Sequence, residues 1–174
     1  MNTFILLSGT IVIIVLSWFI SLKDKRYHGI ARFFSFEAIF ILFLKNYKAW
    51  FIDPLTLHQV LSWILLVASI YPVTSGFILL KKEGKPEKGF ENTTVLIKTG
   101  VYKYIRHPLY CSLMLLGTGI MLKDPGVFQA ACGIINIIAL YFTARIEEKE
   151  MITRFGDQYV EYMKSAKMFI PLVA

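Results

Sequence analysis

Two short runs in this 174-residue chain gather side chains able to hold a polar ligand. The first is Thr99-Gly100-Val101-Tyr102-Lys103-Tyr104-Ile105-Arg106-His107-Pro108-Leu109-Tyr110. Proline favours the first helical turn, so Pro108 sets a helix start at about His107. The unpaired amides of such a turn, with the helix dipole, receive a carboxylate or phosphate. Arg106 and His107 would flank that site with donors, and Tyr102 and Tyr110 would supply aromatic walls and hydroxyls. The same run also reads as a belt of aromatic and basic residues anchoring a helix at lipid head groups. The second run is Arg145-Ile146-Glu147-Glu148-Lys149-Glu150. Neighbouring residues on a helix differ by about 100°, so one of Glu147 and Glu148 would enter a site while the other turns to solvent. A carboxylate accepts two hydroxyls, such as those of a ribose. The alternative is a solvated charged helix with Lys149 and Arg154 as local partners. Gly156 should end that helix and Asp157 cap the next. Tyr159, Val160, Tyr162 and Met163 would give the final segment an apolar face, suited to a bilayer or to covering a site.

The elements that must position these runs are membrane helices. Hydrophobic residues make up 56% of the chain and charged residues 18%, and the mean hydropathy is +0.57. A hydrocarbon core of about 30 Å needs about 20 helical residues. Apolar runs over Thr3 to Leu22, Ala31 to Phe51, Leu57 to Leu80, Leu109 to Leu122 and Val127 to Ala144 predict an all-α polytopic protein with about five spans, the last two a helical hairpin. Residues 1–174 form a single membrane domain in this reading, three spans over 1–80, then a cofactor-binding loop, hairpin and C-terminal helical cap over 81–174. Met1-Asn2-Thr3 lacks the basic start of a signal peptide, so the first run is kept as a span. Glu37 interrupts the second span and should face inward, paired with a helix-end base or backbone. Pro72 should kink the third.

Of the 19 basic residues, 16 fall on one side of these spans and 3 on the other. That asymmetry places the N-terminus outside, the C-terminus in the cytoplasm and both polar runs on the cytoplasmic face. The formal charge of +7 then orients the protein and meets anionic head groups, with membrane lipids and not nucleic acid as the partners. Cys111 and Cys132 lie in apolar runs at different depths, so free thiols are expected and no metal site. Asn92-Thr93-Thr94 matches a glycosylation acceptor that a cytoplasmic loop would leave inert. His28 and His58 fall in short connections. Gly117-Thr118-Gly119 and Gly133 should let the hairpin helices pack closely.

Gly100-x-Tyr102-x-x-x-Arg106-His107-Pro108-x-Tyr110, then Glu147-Glu148, then Phe155-Gly156-x-x-Tyr159-x-x-Tyr162, resembles the isoprenylcysteine carboxyl methyltransferase and phospholipid methyltransferase superfamily of integral membrane enzymes. The match runs over roughly residues 94 to 171. It implies an S-adenosylmethionine enzyme with its cofactor at the cytoplasmic membrane surface. Carried over by position, the cofactor contacts are Thr94, Val95, Leu96, Ile97, Tyr102, His107, Pro108, Leu109, Tyr110 and Glu147. Amides near His107 would take the cofactor carboxylate and Glu147 the ribose hydroxyls. Two positions depart from the eukaryotic prenylcysteine enzymes: Thr143 stands where they carry an arginine, and Thr94 where they carry a histidine.

Methyl transfer from a sulfonium needs alignment, exclusion of water and an electron-rich acceptor. The resemblance implies a lipophilic acceptor, the carboxylate or amine of a membrane-embedded small molecule or lipid. A carboxylate needs no base; an amine must lose a proton, with Glu148 or His107 at hand. Arg106 and Arg145 complete the candidate catalytic set. The alternatives are a membrane reductase of the sterol type using NADPH, and a non-enzymatic membrane scaffold.

Overall fold

The computed structural model describes residues 3–21, 26–85 and 93–171. Met1, Asn2, Leu22 and Asn92, which figured in the sequence reading, lie outside the described residues. Among those described are six α-helices: α1 (Thr3–Ile20), α2 (His28–Asn46), α3 (Leu57–Lys82), α4 (Pro108–Met121), α5 (Val127–Phe155) and α6 (Asp157–Ser165). Short 3-10 helices cover Tyr47–Ala49 and Gly100–Lys103, and an isolated bridge pairs Ile105 with Lys167. The all-α expectation holds. By length and composition α3 and α5 can cross a membrane, while α1 and α4 are shorter apolar helices. The second apolar run stops short of Phe51: α2 ends at Asn46, whose amide nitrogen donates to Ile120 O at 2.8 Å. Helix α3 runs unbroken through Pro72.

The chain divides into two compact units, Met1–Ala68 with Leu113–Thr143, and Ser69–Ser112 with Ala144–Ala174. In the first unit Leu42, Leu66, Ile120 and Cys132 form a core with Ile39, Trp63, Leu116 and Met121 packed on it. Polar side chains cross-link this unit. Ser35 Oγ donates to Asn136 Oδ1 at 2.6 Å, Ser62 Oγ to Gly119 O at 2.6 Å, and Gln129 Nε2 to Asn46 Oδ1 at 3.2 Å. In an apolar setting each such bond matters more for the cost of leaving it unmade than for its net gain, about 1 kcal/mol. Lys123, fully buried in the turn after α4, lies 3.6 Å from the Trp63 ring centroid and donates to Gln59 Oε1 at 3.1 Å.

Several expectations for this unit change. Glu37 pairs with a hydroxyl, not a base or backbone group: Thr10 Oγ1 on α1 donates to its Oε1 at 2.7 Å. His28 and His58 begin helices instead of sitting in connections, and His28 is fully buried. Gly117 and Gly133 do serve the hairpin, abutting Asn136 and Met121, but Gly119 abuts Leu66 and Ser62 of α3. Both cysteines are free.

The second unit has two apolar clusters. Ile97, Val101, Tyr102 and Ile105 pack with Leu79, Leu80 and Cys111, and Met151, Tyr159, Tyr162 and Ala166 pack with Leu96, Phe155 and Met163. Glycine is required twice here. Gly100 has φ +54°, and a Cβ would stand 2.7 Å from Leu79 Cδ1. Gly156 has φ +56° and ψ −137°, and turns the chain from α5 into α6. It is therefore Gly156 that occupies the N-cap, with Asp157 inside the first turn where an acid suits the dipole.

Candidate active site

Pro108 opens α4 as its first residue, where its missing N–H costs nothing. Just before it the chain is pinned by backbone bonds to the C-terminal segment: Arg106 N donates to Lys167 O at 2.7 Å, His107 N to Met168 O at 3.1 Å, and Lys167 N to Tyr104 O at 2.9 Å. The amide of His107, expected to receive an anion, is thus already occupied. The first helix amide beyond the proline is that of Leu109, one of those a helix start leaves without an intrahelical partner.

Helix α5 continues unbroken past its apolar stretch, which ends at Ala144, into the charged run. Glu147, Met151 and Phe155 follow one another at four-residue spacing, so they share a face, and that face lines a cavity. The cavity encloses about 680 Å³ of empty space counting its open mouth. Its polar wall is Arg106, His107 and Glu147, and its aromatic wall is Tyr102, Tyr110, Tyr159 and Tyr162, with Leu80, Thr93, Leu96, Ile97, Pro108 and Leu109 completing the lining.

His107 sits between the two acids. Its Nδ1 is 3.5 Å from Glu147 Oε2 and its Nε2 is 3.4 Å from Glu148 Oε1, with the ring stacked on Tyr110 at 5.4 Å. Burial alone would push its pKa down; Glu147 and Glu148 override this and hold it above the ordinary histidine value. Burial likewise works against ionisation of Glu148, but His107 and then Arg106 keep its pKa below the usual carboxylate value. Tyr102, Tyr159 and Tyr162 are raised well above the phenol range. Burial is the main cause in each, reinforced at Tyr102 by Glu147 and at Tyr159 by Glu148 and Glu147. These rings therefore stay neutral, as walls and hydroxyl donors.

Of the residues expected to contact a cofactor, Leu96, Ile97, Tyr102, His107, Pro108, Leu109, Tyr110 and Glu147 line the cavity. Thr94 and Val95 do not. Both backbone amides bond to Gly84 O, the Thr94 hydroxyl donates to Lys85 O, and Val95 is 42% exposed. Of Glu148, Arg106 and Arg145, only Arg106 lines the cavity. Glu148, a candidate base, turns neither to solvent nor into the cavity: it is buried, receiving Arg106 Nε at 2.8 Å and lying outside the lining. That position does not suit a base acting on an acceptor. Arg145 is half exposed, 3.6 Å from Glu148 Oε2, and also outside the lining. On α6, Tyr159 and Tyr162 face the cavity but Val160 is 41% exposed, so the apolar face is narrower than expected. Thr93, Leu80, Met151 and Phe155 were missed. The four-residue spacing from Glu147 could have found the last two had α5 been carried through the charged run.

The phospholipid methyltransferase family model matches residues 57–158, more than half of the chain and including both polar runs. The chain belongs to the phospholipid methyltransferase family. Protein-S-isoprenylcysteine O-methyltransferase A of Arabidopsis thaliana is 33% identical over 161 residues, 88% of this chain and 78% of its own length. The Mus musculus protein-S-isoprenylcysteine O-methyltransferase is 29% identical over 146 residues, covering 80% of this chain. This chain spans about half the length of that mouse relative, 48%. The Saccharomyces cerevisiae counterpart is 34% identical over 87 residues, 48% of this chain and 35% of its own. No solved structure matches. The protein is a membrane methyltransferase, and the reductase and scaffold alternatives fall away.

Proposed function

We propose that this family member uses S-adenosylmethionine to methylate a lipophilic acceptor at the cytoplasmic membrane surface. One observation carries the reading. Two runs separated by a whole helical hairpin in sequence meet in one cavity, where the His107 imidazole stands 3.5 Å from the Glu147 carboxylate among four phenol rings. The fit to the cofactor is chemical. Glu147, 17% exposed at the cavity wall, would accept ribose hydroxyls. The neutral tyrosines offer stacking surfaces to a purine. The α4 start, through the Leu109 amide, suits a carboxylate. When bound, the cofactor supplies an electrophilic methyl group on a sulfonium.

The chain's own part is to bind, orient and exclude water. Glu147 and the α4 start would fix the two ends of the ligand, and Tyr159 and Tyr162 would cover it. His107, whose pKa the two acids raise, would act as an orienting donor between the carboxylates. The acceptor is a carboxylate or amine carried on an apolar body, as the prenylated cysteine in the relatives' names is. Thr143 is fully buried and donates to Ala139 O, so this position supplies no cation to an acceptor carboxylate. Five spans, with the N-terminus outside and the C-terminus cytoplasmic, complete the reading: residues 1–80 anchor and residues 81–174 hold the cofactor.

The test is calorimetric titration of detergent-purified protein with S-adenosylmethionine and with NADPH. Labelled methyl transfer then follows, to a prenylated cysteine derivative and to a membrane-lipid extract, with the product identified by mass. Binding of S-adenosylmethionine and label in a lipophilic product are expected; binding of NADPH alone overturns the reading.

A further inference from the structure

Arg106 was expected among the catalytic residues, yet its donors are already committed. Nε and Nη2 both reach Glu148 Oε1 at 2.8 Å. Nη1 donates to Met163 O at 3.2 Å and makes a short bond to Ala166 O. The side chain is only 9% exposed. Met163 lies in the last turn of α6 and Ala166 just past it, where helix carbonyls lack intrahelical partners and the dipole is negative. The guanidinium thus caps the C-terminus of α6 while Glu148, on α5, fixes the plane of its fork. The backbone bonds of Arg106 and His107 to Lys167 and Met168 hold the segment that follows. Helix α6 has nine residues, too few to be stable alone in water. Its Tyr159 and Tyr162 form one wall of the cavity, and Tyr162 Oη donates to Tyr102 O at 2.6 Å.

We propose that Arg106 is a positioning residue: it sets α6, and with it the tyrosine wall that closes on the ligand, so that cofactor affinity and not the chemical step depends on it. The inference rests on the methyltransferase reading of this cavity. A lysine keeps the charge but cannot direct planar donors at a carboxylate and two carbonyls together. The Glu148→Gln change leaves the carbonyl bonds in place but removes the charge that holds the fork.

The test uses the full chain in detergent. Hydrogen exchange is followed over residues 157–169 without ligand, and the Kd and KM for S-adenosylmethionine and kcat at saturation are measured for Arg106→Lys, Glu148→Gln and the double variant. Exchange in that segment should quicken in both single variants. Affinity should weaken about tenfold, the loss of one or two charge-assisted bonds, with kcat within about threefold of wild type. The double variant should be no worse than the poorer single one, because both act on one contact. Unchanged exchange, or a collapse of kcat at unchanged KM, overturns the proposal. If Arg106→Lys does not fold, the same readouts on Glu148→Gln decide it. Failure of the wild type to bind S-adenosylmethionine is seen before any variant is compared, and overturns the proposed function itself.

Discussion

The two adjacent glutamates offer the sharpest test of the site because isosteric changes at them should fail differently. Glu147 lines the cavity at 17% exposure and stands 3.5 Å from His107. Replacing it with glutamine removes a charge-assisted acceptor for the ligand, worth about 1.5–3 kcal/mol, or about 10- to 150-fold in Kd. The contact with His107 is long, at 3.5 Å, and its loss should cost about 1 kcal/mol in stability. Glu148 is 3% exposed and holds Arg106 at 2.8 Å as well as facing His107 at 3.4 Å. Glu148→Gln keeps an acceptor oxygen but leaves the buried Arg106 guanidinium short of its counter-charge, a cost of about 2–4 kcal/mol. For a chain of this length that lowers the thermal midpoint by roughly 5–15 °C. Calorimetric titration with S-adenosylmethionine and thermal unfolding, run in the same detergent, read the two effects. Glu147→Gln should lose affinity with its midpoint nearly unchanged, and Glu148→Gln should lose its midpoint with a smaller loss of affinity. The reasoning fails if Glu147→Gln leaves affinity intact, or if it destabilises the protein more than Glu148→Gln does.

Three further outcomes follow from the geometry. His107 has its pKa raised in the folded protein, so its stabilisation is full below the ordinary value of about 6.5 and is lost as pH rises through the raised value. Glu148, lowered, loses its contribution only as pH falls below the ordinary 4.5. The thermal midpoint should therefore decline on the alkaline side in wild type and stay flatter in His107→Gln; equal slopes would refute this. Gly156→Ala meets no atom within 4 Å, so its cost is backbone strain alone, about 1–3 kcal/mol, measured by chemical denaturation in detergent. Lys123→Met removes an ammonium stacked 3.6 Å from Trp63 and bonded to Gln59, and should cost about 2–4 kcal/mol in the same assay, with cofactor affinity unaffected.

Long apolar runs carry their own reading, since a helix satisfies every backbone group internally and burial is decided by residue type. The starts of α3 and α5 therefore fall at Leu57 and Val127 as read from the sequence, and α4 begins at Pro108 because proline permits little else. Gly100 and Gly156 were visible as glycines in a motif; that both need positive φ emerges only with the backbone in hand. The two acids of the charged run were equally visible, and so was the about 100° between them. Helix geometry alone could not say which faced the cavity, because that depends on how α5 is rotated against its neighbours; the family resemblance assigned that side to Glu147, and Glu147 lines the cavity. Nor could the sequence say that the second acid would be buried under an arginine, because a buried ion pair is stable only where the fold supplies both partners and their remaining bonds. Thr94 and Val95 left the site for the same kind of reason: a turn at Gly84 captured their backbone. The residues able to do the chemistry were set by the sequence alone. Their division into those that touch a ligand and those that hold the wall in place was set by long-range packing, in which α6 lays its tyrosines over a cavity whose other residues come from α3, α4, α5 and the connection between α3 and α4.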